Sequence, residues 1–487
     1  VARAPRPMIL VIDIGTSSIR AAAVDAGPGV IVDVVQAAFP PATPAPGLVE
    51  FDPSELASTL LSCARQVVSR HGAPESVAIT AQRASTVVWH RATGEPVATG
   101  LGWQDLRTIG DCLAARAEHG IDIAPNQTAT KAAHLISSSG VSPDEVLIGT
   151  IDAWAAWTLS AGSAHVTDHT NAAVTGLYSL TGDGWDEAAC RIFGLDPESL
   201  PSILDSCGEL ALAEAIPGSP PIRAIVGDQQ ASMIGQSCVR PGIAKITFGT
   251  GGMLDMGVGG DAPAEARRAA NGCFPIVGWA ERGGLEWGLE AVMLAAGSNV
   301  DWLRDDLGLI ATSAESHDLA SGCEDSAGVV FVPAPLGLGT PSWDYGARGT
   351  LLGLTRGSER TQVVRAVLEG VANRGADLVE AAEADSGIRI TSLRVDGGMS
   401  RNPTFLQALA DTTGRPVEVS PQVEATTLGA ARLAAVAGGV WPTVRDLDGE
   451  WQPIEVIESR PSSLRDRWSD AIERSREWIP GLSALDF

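Results

Sequence analysis

Two short stretches constrain this chain more than anything else in it. Residues 9–25, ILVIDIGTSSIRAAAVD, run apolar to Asp13, turn through Gly15, Thr16, Ser17 and Ser18, and become apolar again after Arg20. Residues 241–258, PGIAKITFGTGGMLDMGV, repeat that plan around a Gly249-Thr250-Gly251-Gly252 tip. Each predicts two buried strands joined by a polar tip. A glycine in such a tip lets the backbone approach a bound group closely. Hydroxyls and backbone N–H groups around it can then cradle phosphate oxygens, with Arg20 adding a cation. Asp13, at the end of its strand, can hold Mg²⁺ through water, because that ion keeps much of its hydration shell. A plain turn uses the same residue types. The recurrence nearly half a chain later suggests more: two similarly folded halves facing each other across a cleft, each clamping one end of a polyphosphate.

The rest of the chain reads as alternating strands and helices, an α/β arrangement. Strands are expected at 8–14, 19–25 and 30–37, followed by a proline-rich excursion. A helix comes next, with Leu56, Leu60, Cys63 and Val67 on one stripe. SVAITAQ is a strand, and VVWHRATGEPVA reads as a hairpin around Thr93 and Gly94. In the second half a long helix carries Val364, Leu368, Val371, Gly375 and Leu378 on one face. SLRVDGG is a strand ending in Asp396-Gly397-Gly398, after which Asn402 as N-cap and Pro403 at the first helical position open a helix that stops at Gly414. A strand ending in Gly-Gly ahead of a helix N-terminus is a place for a nucleotide in an open sheet. Asp228, in VGDQQASMIGQ, follows the strand IRAIVG. It can serve as a helix cap; beside two phosphate cradles it can also accept the proton of an attacking hydroxyl.

Charge and cysteine usage narrow the classes. A net charge of −25 argues against a nucleic-acid or anionic-membrane footprint. The 7 cysteines are scattered singly, with no C-x-x-C, which gives neither a disulfide framework nor a zinc site and suits a reducing cytoplasm. His165 and His169 read as structural. No apolar run reaches the ~20 residues that span a bilayer, and VARAPRP offers no signal-peptide core, so a cytoplasmic protein is expected.

The motifs DIGTSSIR, GLVEFDP, HVTDHTNA, GDQQASMIGQ, AKITFGTGG, VPAPLGLGTPSWDYGARGTLLGLTRG, LRVDGGMSRNPTFLQALAD and EATTLGAARLAA follow one another in that order. On these the chain resembles the FGGY carbohydrate kinases, and within them the glycerol kinases, from about residue 9 to residue 445. The resemblance implies two actin-like (ribonuclease H-like) α/β domains flanking a central cleft: residues 1–243 with the acceptor site and first phosphate motif, and 244–487 with the second phosphate and adenosine motifs. It implies ATP and Mg²⁺, a small polyol or sugar as partner, and a homodimer or homotetramer. By resemblance Asp228 is the catalytic base and flanks Mg²⁺ together with Asp13. Thr16, Ser17 and Arg20 face one side of the triphosphate, and Gly249, Thr250 and Gly251 the other. Gly297 lies near the nucleotide, although the family's Gln in that segment is Asp301 here. Gly398 and Asn402 match positions that contact adenosine.

Around the acceptor the chain keeps Arg83, Trp103 and Gln229 beside Asp228, but has Ala84 where the family has Glu, and Asn126 where it has Tyr. Ala84 removes a carboxylate and frees volume, which suits a larger polyol or a ketose such as xylulose; Asp105 or a bridging water would instead restore glycerol recognition. The rival of another class is an actin-like or Hsp70-like nucleotide switch. It shares the double cradle but has no use for Asp228 together with Arg83 and Trp103.

Overall fold

The computed structural model describes residues 8–27, 29–179, 181–263, 268–421 and 424–485; the VARAPRP segment lies outside them. The opening motif forms strands Met8–Ile14 and Ser18–Asp25, paired antiparallel with Asp13 opposite Arg20. Val30–Ala38 adds a third antiparallel strand at the sheet edge. On its other side Met8–Ile14 pairs parallel with Ser76–Ala81, which pairs parallel with Pro221–Gly227. Strands buried on both faces read as continuous apolar runs rather than alternating ones, and Ser76–Ala81 is buried throughout.

The second tip founds a sheet with the same plan. Ile243–Phe248 is antiparallel to Gly252–Gly259 and parallel to Ser392–Asp396, which is parallel to Val417–Val419. Gly284–Met293 takes the place of the third antiparallel strand. The duplication expected from the two tips is therefore a duplication of strand order and direction.

Helices cover both sheets. Pro53–His71, capped by Asp52 accepting from Ser54 and Glu55 N–H, buries Leu56, Leu60, Cys63 and Val67 against the first sheet. Arg360–Ser386 buries Val364, Leu368, Val371, Gly375 and Leu378 in the core of the second. The helix Ala425–Ala437, late in the chain, crosses back and buries itself in the first sheet's other core, among Ile9, Val11, Ala224 and Val226. There it meets Asp228–Gly235 at a crossing that admits only glycine. A Cβ on Gly429 would lie 1.7 Å from the Ala231 carbonyl oxygen, and one on Gly235 1.9 Å from that of Ala425.

A smaller sheet, Glu50–Phe51, Gly100–Leu101, Thr86–His90 and Val146–Thr150, extends the N-terminal half. The expected hairpin forms around Thr93 and Gly94: Gly94 N–H donates to the His90 carbonyl, His90 N–H to that of Glu95 and Val97 N–H to that of Val88, with Trp89 bridging Pro96. The longer partner of Thr86–His90 is Val146–Thr150.

Candidate active site

The parallel strands of the first sheet end side by side, and each delivers one polar side chain to the same edge. Asp13 comes from the end of Met8–Ile14, Arg83 from the turn after Ser76–Ala81, and Asp228 from the residue after Pro221–Gly227. Gly227 is the N-cap and Asp228 the first residue of its helix, with its Oδ1 accepting from the Gln229 N–H at 2.8 Å. Arg83 Nε lies 3.6 Å from Asp228 Oδ1. The Asp228 side chain is 28 % exposed, so a solute in the cleft can reach it. Burial raises its pKa, and Arg83 and Lys245 pull it partly back.

Asp13 is deeper. Burial pushes its carboxyl up to about 6, opposed by a 2.8 Å hydrogen bond from Thr427 and by Arg20 at 3.6 Å, while Asp228 and Glu424 add to the rise. Arg20 also pairs with Glu424 at 2.8 Å. Thr427 and Glu424 belong to the segment that crosses back from the chain's far end, which is how a residue 414 positions away touches Asp13.

At the first tip Thr16 is half-buried and Ser17 exposed. Trp103 leans on it: the indole Nε1 donates to Thr16 Oγ1 at 3.3 Å, and the Trp103 backbone N–H donates to Ser85 Oγ at 3.0 Å. The second tip is bounded by glycines. Gly297 N–H donates to the Gly249 carbonyl at 2.8 Å, and a Cβ on Gly297 would stand 2.6 Å from that oxygen. Gly397, at φ 86°, is packed against Phe248, whereas nothing lies within 4 Å of a Cβ on Gly398. Gly249, Thr250 and Gly251 follow one strand and Gly398 its parallel neighbour; Gly251 and Gly297 pack closely against backbone, and Gly398 faces open space. Asn402 caps Pro403–Thr413 by accepting from Phe405 N–H, and its amide donates to Ser316. The helix ends at Gly414 in the left-handed conformation, where the sequence put its stop.

The halves meet where Arg83 and Gln229 touch Glu290 and Lys245, which together with Asp255 are side chains that the sequence did not single out. Arg83 Nη2 binds Glu290 Oε2 at 2.6 Å, and Lys245 Nζ binds Gln229 Oε1 at 2.8 Å and Asp255 Oδ2 at 2.8 Å. Lys245 and Asp255 are fully buried. Burial works against the Lys245 charge, but Asp255, Asp396 and Glu290 outweigh it and hold the ammonium ionised. Burial likewise raises Glu290, against the pull of Arg83. Two signals pointed here: Lys245 is one of two lysines in the chain, and AKITF, LDMGV and GLEAV each set a charge within an apolar strand.

Around the acceptor, Ala84 is buried at φ 63°, with its carbonyl held by Thr86 and Thr128. Asp105 is not a stand-in for the missing carboxylate. It is fully buried and accepts from Val49 N–H, Arg107 N–H and the Arg107 guanidinium, which consumes its lone pairs in holding the loop. Asn126 offers its backbone carbonyl to Lys131 at 3.1 Å. Asp301 is an ion-pair partner of Arg304. His165 bonds the Ile148 carbonyl and sits edge-on to Trp89, and His169 bonds Tyr178, so both are structural.

The donor set fits a divalent cation. Burial raises the pKa of both carboxylates, Asp13 and Asp228, and Asp228 adds to the rise at Asp13, a cost that a bound cation relieves. No group of three or more His, Cys, Asp or Glu gathers for a metal among the described residues; Mg²⁺ needs only one or two carboxylates, with water and substrate phosphates completing its shell. Among the described residues no helix is long and apolar enough to cross a membrane.

Residues 8–235 match the N-terminal domain, and 244–438 the C-terminal domain, of the FGGY family of carbohydrate kinases. The chain is 38 % identical to a glycerol kinase of Aromatoleum aromaticum, covering 97 % of this chain and 99 % of that protein. It is 40 % identical to one from Trichlorobacter lovleyi, covering 96 % and 99 %. The solved structure of Plasmodium falciparum glycerol kinase with ADP superposes at a TM-score of 0.89, with 30 % identity over 96 % of this chain and 98 % of that one.

Proposed function

The chain belongs to the FGGY family of carbohydrate kinases, alcohol-acceptor phosphotransferases, and from that premise we propose that it transfers the γ-phosphate of ATP to a primary hydroxyl of glycerol, with Asp228 as the general base. The observation that carries the reading is the placement of Asp228. It is a reachable carboxylate at a helix N-terminus, 3.6 Å from Arg83, at the strand ends beside the first glycine tip. Its raised pKa makes it a stronger base than an ordinary carboxylate.

In this reading Asp228 accepts the hydroxyl proton as the oxygen attacks phosphorus. Arg83 and Gln229 bind the remaining hydroxyls, and Trp103, fixed between Ser85 and Thr16, forms the wall between acceptor and phosphate. Thr16, Ser17 and Arg20 take one side of the phosphate tail; Gly249, Thr250 and Gly251 take the other, with Gly297, Gly398 and Asn402 toward the nucleoside. Asp13 and Asp228 would hold Mg²⁺, which when bound neutralises charge on the transferring phosphoryl group. Closing the halves excludes water, which would otherwise compete for the phosphate. Residues 1–243 carry the acceptor site and the first phosphate motif, and residues 244–487 the second phosphate and adenosine motifs, in an enzyme working in the cytoplasm as a dimer or tetramer.

Ala84 supports a second acceptor class, C4–C5 polyols and ketoses such as xylulose, because no side-chain carboxylate accompanies Arg83 on its own turn. ADP release measured with glycerol and a panel of C4–C5 polyols and ketoses separates the two. Turnover with glycerol at the highest kcat/KM bears out the first reading, and ATP hydrolysis independent of every acceptor would favour a nucleotide switch.

A further inference from the structure

The surface of the second sheet that meets Arg83 and Gln229 carries a row of charges. Lys245, Asp255 and Glu290 stand directly opposite one another on the adjacent strands Ile243–Phe248, Gly252–Gly259 and Gly284–Met293. All three are buried. Like charges opposed across a ladder are destabilising, and buried charges cost more than they return unless fully paired. Here Asp255 and Glu290 are neighbours of like sign, flanked by Lys245 on one side and Arg83 on the other. An apolar row would fold at less cost. The charges at its two ends are the groups that reach across the cleft, to Gln229 and to Arg83.

Those contacts decide what Arg83 and Gln229 have left to offer. Lysine is a donor only, so the Gln229 amide must turn its oxygen to Lys245, leaving Nε2 as the free end. Glu290 fixes Arg83 Nη2, Asp228 lies near Nε, and Nη1 is buried without a hydrogen-bond partner. Both residues flanking Asp228 therefore present N–H donors, and Asp228 is the carboxylate between them that can take a proton.

We propose that Glu290 and Lys245 are positioning residues for the acceptor: from the C-terminal half they hold one end each of Arg83 and Gln229, so that Arg83 Nη1 and Gln229 Nε2 are aimed at the acceptor's non-reacting hydroxyls only when the halves are closed. This rests on the acceptor site proposed above. It makes acceptor recognition, and not ATP recognition, depend on contacts across the cleft.

The test uses the full-length chain with Glu290→Ala, Glu290→Gln and the paired change Lys245→Met/Asp255→Leu, which removes both buried charges together. Kinetics are read with the acceptor of highest kcat/KM in the panel. Glu290→Ala and the paired variant are expected to raise acceptor KM by about 10- to 100-fold, the range of one charge-assisted hydrogen bond, with ATP KM unchanged. Glu290→Gln, which can still accept from Arg83, is expected to restore most of the loss. Unchanged acceptor KM in both variants, or ATP KM rising in step with it, overturns the proposal. Should the wild-type protein turn over no acceptor in the panel, the acceptor reading fails, and small-angle scattering of the unliganded chain decides the cross-cleft contact by itself. A larger radius of gyration for Glu290→Ala than for wild type and Glu290→Gln upholds it, and equal radii overturn it.

Discussion

Replacing Gly429 by alanine adds one methyl group at the place where the chain's far end is joined to the first sheet. The new Cβ would lie 1.7 Å from the Ala231 carbonyl oxygen, 2.6 Å from its carbon and 2.8 Å from the Gly235 nitrogen. Carbon and carbonyl oxygen rest about 3.3 Å apart at closest, and every offending atom is backbone. The helices Asp228–Gly235 and Ala425–Ala437 must therefore separate by about 1.5 Å, whereas a gap of 0.5–1 Å already forfeits about a quarter to a half of each dispersion contact it opens. Nearly the whole of Ala425–Ala437 is buried, so the loss spreads along the helix.

The expected cost is about 3 kcal/mol or more, the upper end for overpacking. With an unfolding entropy of about 2.1 cal/mol/K per residue over 487 residues, that lowers the melting temperature by about 3 °C or more. Because Thr427 binds Asp13 and Thr426 faces the Asp228 carbonyl, kcat should fall as well, by up to about 100-fold for an ångström of misplacement. The control is Gly110→Ala in the helix Ile109–His119, where nothing lies within 4 Å of the new Cβ; it should be neutral or stabilising by about 0.5–1 kcal/mol. Scanning calorimetry and ADP release on both variants measure this. A Gly429→Ala protein that melts and turns over like Gly110→Ala would refute the close crossing.

Burial lowers the His165 pKa from 6.5 to about 4, so the unfolded chain binds a proton that the folded one refuses. The stability this contributes is complete above pH 6.5 and drains away as pH falls toward 4. At pH 5 the loss is about 2 kcal/mol relative to pH 7, and His165→Gln should flatten the fall in denaturant midpoint between those values by that amount. Asp255→Asn alone should destabilise by about 3–5 kcal/mol, because it leaves Lys245 charged and buried, while Lys245→Met/Asp255→Leu should lie within about 1.5 kcal/mol of wild type by urea titration. Asn402→Ala should cost about 1 kcal/mol through the lost cap and raise ATP KM while leaving acceptor KM where it was.

Local chemistry made much of this fold legible. Doubly buried strands such as ILVIDI announce themselves as unbroken apolar runs, the glycine tips as breaks in those runs, and Asn402-Pro403 with Gly414 as the two ends of a helix. The repeated tip carried the topology, since it implied repeated strand order. What the sequence concealed depends on distant pairing. Ala425–Ala437 reads as an apolar helix of the second half, and only the Gly429 and Gly235 crossing places it on the first sheet. Thr86–His90 showed its near return, but not its longer partner Val146–Thr150, which begins 56 residues on from its last residue. Asp105 looked free for substrate because nothing nearby shows that its lone pairs are spent on Val49 and Arg107. Glu290, Lys245 and Asp255 gain meaning only from their register across the sheet, which periodicity in one strand does not report.

The account stands on one carboxylate meeting an alcohol beside the phosphate tail, and Asp228→Asn probes it with little change of shape. With the acceptor of highest kcat/KM in the panel, the variant is expected to bind ATP as the wild type does when Mg²⁺ is left out, measured by calorimetric titration, and to lose about 10²- to 10⁴-fold in kcat with Mg²⁺ present, the contribution of a positioned general base. Undiminished phosphorylation by Asp228→Asn would contradict it.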